Sequence, residues 1–504
     1  MKTFAQIAAE LQGYDPQALS AGAVNEFLSR LVEPVREHEQ VGIFEAMGRV
    51  LAADVVSPVS VPPHDNSAMD GYAFAGDALS TQSPLTLKVI GTALAGAAWR
   101  GKVQPGECLK IMTGAVLPAG LDTVVPQEFV QTHGQATHIT IPPGVLQPGD
   151  NRRAMGEDIR AGQAALLKGD RLTPAGLGLI ASLGLQSVTV LRKLRVAYFS
   201  TGDEILSLGD APREGAVYDS NRYTVFGLLT RLGVEVVDLG VVRDEPAALE
   251  AAFTRAAEQA DAIITSGGVS VGEADHTKAM MKKLAAAGES QEAAGKDAIG
   301  DGAEKPGVEK RGAEMPDGES AHALGGVAFW RIAMRPGRPM AVGRLPRQPR
   351  KPPKAPISPV LGSKLGSSPR VACTSNYINN SNTNSADFAI LFGLPGNPVA
   401  VMVTFLAFVR PALLCMMGSL EAAPPLLKAQ SIEAIRKKPG RTEYQRGIVS
   451  TSTDGALHVK ITGNQGSGVL SSMTQANGLI VLHHAQANVA PGDLVDVMMF
   501  DGVI

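Results

Sequence analysis

Apolar and polar positions alternate in blocks along the middle of the chain. LRVAYFS, VEVVDLG and DAIITS are short, nearly unbroken apolar runs of strand length, and YTVFGLLTRLG and EPAALEAAFTRAAEQA between them repeat at helical period. Strands alternating with helices from about 192 to 420 predict an α/β domain with a mostly parallel sheet covered on both faces. In such sheets ligands sit beyond the carboxyl ends of the strands. The residues falling there are STGDE (200–204), RDE (243–245), TSGGVS (265–270) and GLPGNP (393–398). Four strand ends thus bring glycine, hydroxyl and carboxylate side by side.

The pattern differs on either side. Residues 1 to about 48 read as helical, with Phe27, Leu28, Leu31, Val32 and Val35 forming one stripe. From Val50 to Ile141 short β-rich pieces are separated by Pro and Gly. LTPAGLGLIASLG then opens a helix, with Thr173 as N-cap and Pro174 at the first helical position. A helix returning there predicts an elongated helical domain (1–49 and 150–190) carrying an inserted β-rich domain (50–149). The α/β domain is expected over 191–420. From about 425 short strands and turns predict a C-terminal β domain, 421–504.

Two stretches, about 286–326 and 347–386, are dominated by Ala, Gly, Glu and Lys in the first and by Pro, Lys, Arg, Ser and Asn in the second. Neither holds enough apolar surface to offset backbone ordering, so both are expected to be disordered insertions. The apolar run from Pro398 to Met417 is broken by Arg410 and Pro411, which favours a buried helix over a membrane span.

Composition narrows the classes. With 44% hydrophobic and 19% charged residues, the 504-residue chain is a soluble globular type. A net charge of -3 gives no basic imbalance of the kind nucleic-acid binders carry. Cys108, Cys373 and Cys415 lack metal-ligand spacing and suit a reducing cytoplasm. The first residues, MKTFAQIAAELQGYDPQ, lack a signal peptide's apolar core.

Candidate chemistry centres on TSGGVSVGEADH, 265–276. Strand, glycine turn and helix aim backbone N–H groups at an anion. Gly267 and Gly268 permit close approach, and Ser266 and Ser270 add hydroxyls. Glu273 and Asp275 beside an anion site point to a bridging divalent cation, magnesium first. A tight structural turn is the plainer alternative. NRRAMGEDI (151–159) gathers Arg152, Arg153, Glu157 and Asp158, for which a solvated loop is the plain explanation.

Taken together, NSAMDGYA, MTGA, NRRAMGED, STGDE, YDSNR, RDE, SGGVSVGEAD, FWR, RPGRP, GLPGNPV and TEYQRG, in this order, resemble the molybdopterin molybdenumtransferase family. The resemblance implies a four-part fold: helical domain, inserted β domain, α/β domain and C-terminal β-barrel-like domain. It implies insertion of molybdate into adenylylated molybdopterin, with magnesium, releasing AMP and the molybdenum cofactor. The acidic residues implied are Asp70, Asp158, Glu204, Asp244 and Asp275, with Glu204, Asp244 and Asp275 as metal ligands. Thr113, Arg153, Pro395 and Pro398 match cleft positions, and Arg446 and Ser467 match positions tied to the oxyanion. Arg331 and Arg335 stand where the family often has lysine, and a guanidinium binds as a planar fork, not a point charge. The resemblance also implies a homodimer in which the inserted domain of one chain faces the α/β domain of the other. An adenylyltransferase supplying the substrate is a further expected partner. The alternatives are a molybdopterin adenylyltransferase-like enzyme, whose single small domain leaves Asp70 and the β tail without a role, and a gephyrin-like scaffold, which has no need of five carboxylates.

Overall fold

Residues at successive positions of a strand point to opposite faces, so a strand apolar throughout must be covered twice. That is what the central runs do. In the computed structural model, which describes residues 2, 4–11, 13–269, 276–285, 326–347, 388–421 and 423–501, they form one six-stranded sheet. Its strands are β1 (Arg195–Thr201), β2 (Glu235–Val242), β3 (Ala262–Ser266), β4 (Val327–Arg331), β5 (Pro339–Pro346) and β6 (Phe388–Leu394), in the order β2-β1-β3-β6-β5-β4. The first four run parallel, while β5 and β4 add as an antiparallel edge. Most of the two low-complexity stretches, together with Ser270, Glu273, Asp275 and Cys373, lies outside the described residues.

The period of two is visible in the packing. Val196, Tyr198, Ile264, Ile390, Phe392 and Leu394 enter one apolar core. Ala197, Phe199, Ile263, Ala389 and Leu391 enter another, where Phe199 meets Phe253 edge-on at 5.0 Å. The crossover helices are Ser220–Leu232, capped by Asp219, and Pro246–Gln259, which starts on Pro246.

The chain forms two compact units: Met1–Glu39, Gly48–Val50 and Val190–Ile504 make the larger, and Gln40–Met47 and Leu51–Thr189 the smaller. In the larger unit the helix Ala21–Leu31, capped by Ser20, buries Phe27 against Trp330 at 5.0 Å. The helical reading of residues 1–48 fails at its end. Pro34 follows the helix, and His38–Gly42 is a strand followed by a single 3-10 turn, Ile43–Glu45. Only Val41 is buried in that strand, so no helical stripe continues through it.

The apolar run Pro398–Met416 is a continuous helix, 89% buried. It widens to a π turn at Phe405–Val409, just ahead of Pro411. Proline has no N–H and its ring crowds the carbonyl four residues back, which the wider turn relieves. Beyond it, Leu427–Ser431, Thr442–Thr451, Leu457–Ile461, Gly478–Leu482 and Leu494–Met499 close into a five-stranded barrel, because Thr442–Thr451 pairs with strands at both ends of the row. Met334–Arg335 pairs in parallel with the same strand and ties the barrel to the sheet's edge hairpin.

The smaller unit holds a six-stranded, largely antiparallel sheet between Gly71 and Ile141. The helix Pro174–Ser182 also belongs to it, with Thr173 accepting from the Gly176 N–H at 3.2 Å. The protein is therefore a multidomain α/β chain with a mostly parallel central sheet and a C-terminal barrel.

Candidate functional site

Parallel register fixes what stands at the carboxyl edge. Ser200 lies beside Ser266, and Ser266 beside Leu394. The Tyr198 hydroxyl sits 2.8 Å from Ser200 Oγ and 2.6 Å from Ser266 Oγ, and all three are buried. Burial pushes the Tyr198 phenol well above its ordinary range, outweighing these hydrogen bonds, so it stays protonated.

The chain turns sharply after β3. Gly267 and Gly268 have φ of 93° and 63°. A Cβ on Gly267 would lie 2.5 Å from the Thr201 carbonyl oxygen, and one on Gly268 would lie 2.3 Å from the Thr277 Cβ. Both glycines are therefore required for space as well as for φ. The Gly267 N–H is spent on Leu394 O at 3.2 Å and is not available to an anion, contrary to the simplest reading of the motif. Thr277 Oγ1, against Gly268, donates to Asp244 Oδ1 at 3.2 Å, so Asp244 stands just behind this turn.

Beyond the edge opens a cavity of about 940 Å³, within the usual range for small-molecule sites. Ser266, Gly267 and Gly268 form part of its wall, with Thr201 and Glu204 after β1. Asp219 and Asn221 at the helix start, the 334–339 turn, Pro395 to Pro398, and the barrel loop with Gln465 and Ser467 complete it. Asn221 Nδ2 donates to Gly396 O at 2.7 Å, and Asn397 Nδ2 to Ser467 Oγ at 3.1 Å. Side-chain amides thus stitch the GLPGNP loop to the helix on one side and to the barrel on the other.

Positive charge is arranged in two layers. Arg335 and Arg338 line the cavity, both exposed and without a carboxylate partner among the described residues. Behind the wall, Arg446 is 1% exposed. It donates to Ser472 Oγ at 2.9 Å, Gly466 O at 2.9 Å and Asn464 O at 3.2 Å, clamping the loop that presents Gln465 and Ser467. Burial, and then the charge of Arg335, push its pKa down to about 10, and it remains a cation at neutral pH.

The cavity therefore gathers Glu204, Ser266, Gly267, Gly268, Arg335, Pro395, Pro398 and Ser467. Asp244 and Arg446 lie behind its wall. Arg331 lies outside it, on the exposed side of β4, with its N–H donated to Pro16 O at 2.8 Å. Two further cations line the wall that sequence reasoning passed over: Arg338, the second arginine of RPGRP, and Arg441, which is paired with Glu443 at 2.7 Å. Asp219 and Asn221 were likewise unassigned, although YDSNR had been singled out.

The smaller unit brings together a second set. Thr113 donates to Asp70 Oδ1 from both its N–H and its hydroxyl, each at 2.7 Å, and these bonds, with the hydroxyl's first, lower the Asp70 pKa. Arg152–Arg153 pairs antiparallel with Asn66–Ser67, so the loop carrying Arg153 and Asp158 runs beside the loop carrying Asp70. Arg153 Nε donates to Glu157 at 2.6 Å, and Asp158 is exposed.

Fold and cavity together define a multidomain protein whose α/β sheet and C-terminal barrel share one small-molecule site. Residues 20–184 match the MoeA N-terminal region (domain I and II), 197–303 a probable molybdopterin binding domain, and 428–500 the MoeA C-terminal region (domain IV). The molybdopterin molybdenumtransferase of Haemophilus influenzae is 34% identical over 485 residues, covering 96% of this chain and 98% of its own. Molybdopterin molybdenumtransferase 2 of Mycobacterium tuberculosis is 32% identical over 460 residues, covering 91% and 94%. A molybdopterin biosynthesis protein of Pyrococcus horikoshii, at 22% identity, shares the fold with a TM-score of 0.66 over 96% of this chain and 100% of its own. The chain belongs to the molybdopterin molybdenumtransferase family.

Proposed function

We propose that the protein inserts molybdate into adenylylated molybdopterin, releasing AMP and the molybdenum cofactor. The observation that carries this reading is the cavity wall with Arg335 and Arg338, neither paired with a carboxylate among the described residues, and the Arg446 cation behind it. A pyrophosphate-linked substrate and a tetrahedral dianion both call for cations and hydroxyls held in place. Arg335 and Arg338 bind the anionic groups, Ser266 and Ser467 offer hydroxyls, and Pro395 and Pro398 shape the wall. Arg446 holds the Ser467 loop and adds positive potential from behind. In the smaller unit the same reading assigns Asp70 and Asp158 as acidic catalytic residues, and Thr113 and Arg153 as substrate-binding.

Magnesium, when bound, would supply a Lewis acid and template for the phosphates. Glu204 fits it, since its carboxylate faces the cavity with no basic partner among the described residues. Asp244, behind the Gly267–Gly268 turn, would add a second hard oxygen donor. Asp275, the third ligand expected from the family, and Ser270 lie outside the described residues.

We further propose a cytoplasmic homodimer, supplied by the adenylyltransferase that makes its substrate. Leu208, Tyr223 and Phe226 are exposed on the larger unit and give apolar surface to a second copy. A single-chain mass by light scattering overturns the dimer. The reaction is tested by supplying adenylylated molybdopterin, molybdate and Mg2+ and measuring AMP. No molybdate-dependent AMP release overturns the function. Arg335→Gln is expected to raise the substrate Kd about five- to tenfold, and added salt to weaken the wild type more than the variant. An identical salt slope would make Arg335 an ordinary surface cation.

A further inference from the structure

Three buried polar atoms on residues that line the cavity lack hydrogen-bond partners among the described residues. Thr201, Asp219 and Asn221 are 4%, 3% and 7% exposed, and all three line the cavity. Asp219 Oδ1 accepts from the Arg222 N–H at 3.1 Å, the cap of the Ser220–Leu232 helix, but its Oδ2 has no partner among the described residues. Asn221 spends its Nδ2 on Gly396 O, and its Oδ1 is likewise unpartnered. Thr201 Oγ1 is the third. A buried acceptor without a donor costs stability, and a ligand that brings the donor recovers it.

The chemistry of these atoms is selective. Asp219 and Asn221 leave two oxygen acceptors against a single spare donor, the second hydrogen of the Asn221 amide. An oxyanion or phosphate, all acceptors, is disfavoured by the Asp219 carboxylate and by the two bare oxygens. A divalent cation is disfavoured by the adjacent helix N-terminus, whose dipole is positive. Adenine offers one amino group flanked by ring acceptors. A 2-amino-4-oxopyrimidine edge, as in a pterin, presents an amino group and a ring N–H side by side and no acceptor between them.

We propose that Asp219 and Asn221 are the specificity-determining residues for the pterin end of the substrate, accepting from its 2-amino and N3–H groups, with the Thr201 hydroxyl beside them. The inference rests on the reading of the cavity as the molybdopterin site and adds which residues distinguish the pterin from the nucleotide.

The test compares 6-hydroxymethylpterin with 6-hydroxymethyllumazine, in which a carbonyl replaces the 2-amino group, by fluorescence titration against the full chain. AMP serves as the nucleotide control. The wild type is expected to prefer the pterin at least tenfold, and equal affinities overturn the proposal without any variant. Asp219→Asn keeps the cap, since asparagine also caps helices, but sets an amide donor where the free oxygen was. It is expected to abolish or invert the pterin preference and to leave the AMP Kd within twofold. An unchanged preference overturns the role of Asp219 while leaving the cavity a pterin site. A wild type that binds AMP but neither bicycle overturns the pterin-site reading itself. Loss of Mg2+ binding in the variant, with the pterin preference intact, assigns Asp219 to the cation instead and also overturns the proposal.

Discussion

Glu204→Gln is expected to slow AMP release from adenylylated molybdopterin by about a hundred- to a thousandfold, the usual loss when one preorganised electrostatic group leaves a reaction site. The substitution keeps the side chain's shape and removes only its charge. Glu204 follows β1 at the cavity, and a Cβ on Gly202 would lie 2.5 Å from its Oε2, so the carboxylate rests directly on the glycine of STGDE. That seat gives it a defined direction, as a metal ligand needs. Calorimetry without substrate supplies the second readout: Mg2+ affinity should fall in the variant while the melting temperature stays within a few degrees. A variant with wild-type turnover and wild-type Mg2+ affinity would remove Glu204 from the metal site.

The second large effect is on stability. Asp261 is 4% exposed and opens β3, at the end of the sheet opposite the cavity. It takes two hydrogen bonds from Arg192, at 2.6 and 2.9 Å, one from Arg347 at 2.5 Å and one from the Arg195 N–H at 2.9 Å. Burial alone would raise its pKa, but Arg192, Arg347 and the Arg195 N–H outweigh it and hold the carboxyl far below its ordinary range. Asp261→Asn leaves two guanidinium groups short of their counter-charge in the interior. Breaking a buried pair in this way costs about 3–5 kcal/mol, and the Arg192 contact to Glu37 at 3.3 Å favours the lower end. Because the folded-state pKa is depressed, the stabilisation is complete above the unfolded-state value of about 4 and is lost as pH falls towards the folded-state value. Urea melts should therefore show the full gap between wild type and variant at pH 7 and a narrowing gap below about pH 4. A gap that does not change with pH would mean that packing, not charge, is responsible.

The sheet was legible because its inner strands are buried on both faces. In DAIITS the apolar residues are consecutive and even Thr265 and Ser266 are buried, leaving no exposed position of the kind a surface helix or strand shows. The glycine turn and Pro398 were legible for local reasons of φ and capping. What escaped was set by distance along the chain. Arg331 and Arg335 are four apart and read as a pair, yet Arg331 continues β4 while the chain turns before Arg335. It is Arg335 and Arg338, past the end of β4, that come to the cavity. Arg446 read as a ligand for the anion, and only the fold shows it packed behind Ser467. The strand His38–Gly42 was missed because a single inward valine carries almost no periodic signal.

The cavity wall comes from segments spread between Thr201 and Gly468, joined through the sheet edge, the amide stitches and the barrel loop. No short stretch of chain retains part of it once the larger unit opens. Occupancy is therefore thermodynamically linked to the integrity of that whole unit: a ligand at a hundred times its Kd adds about 2.7 kcal/mol against unfolding. In a cell, where transiently opened chains are cleared by proteases, the standing level of this protein would rise and fall with the supply of its own substrate, a coupling of abundance to flux that requires no separate regulator.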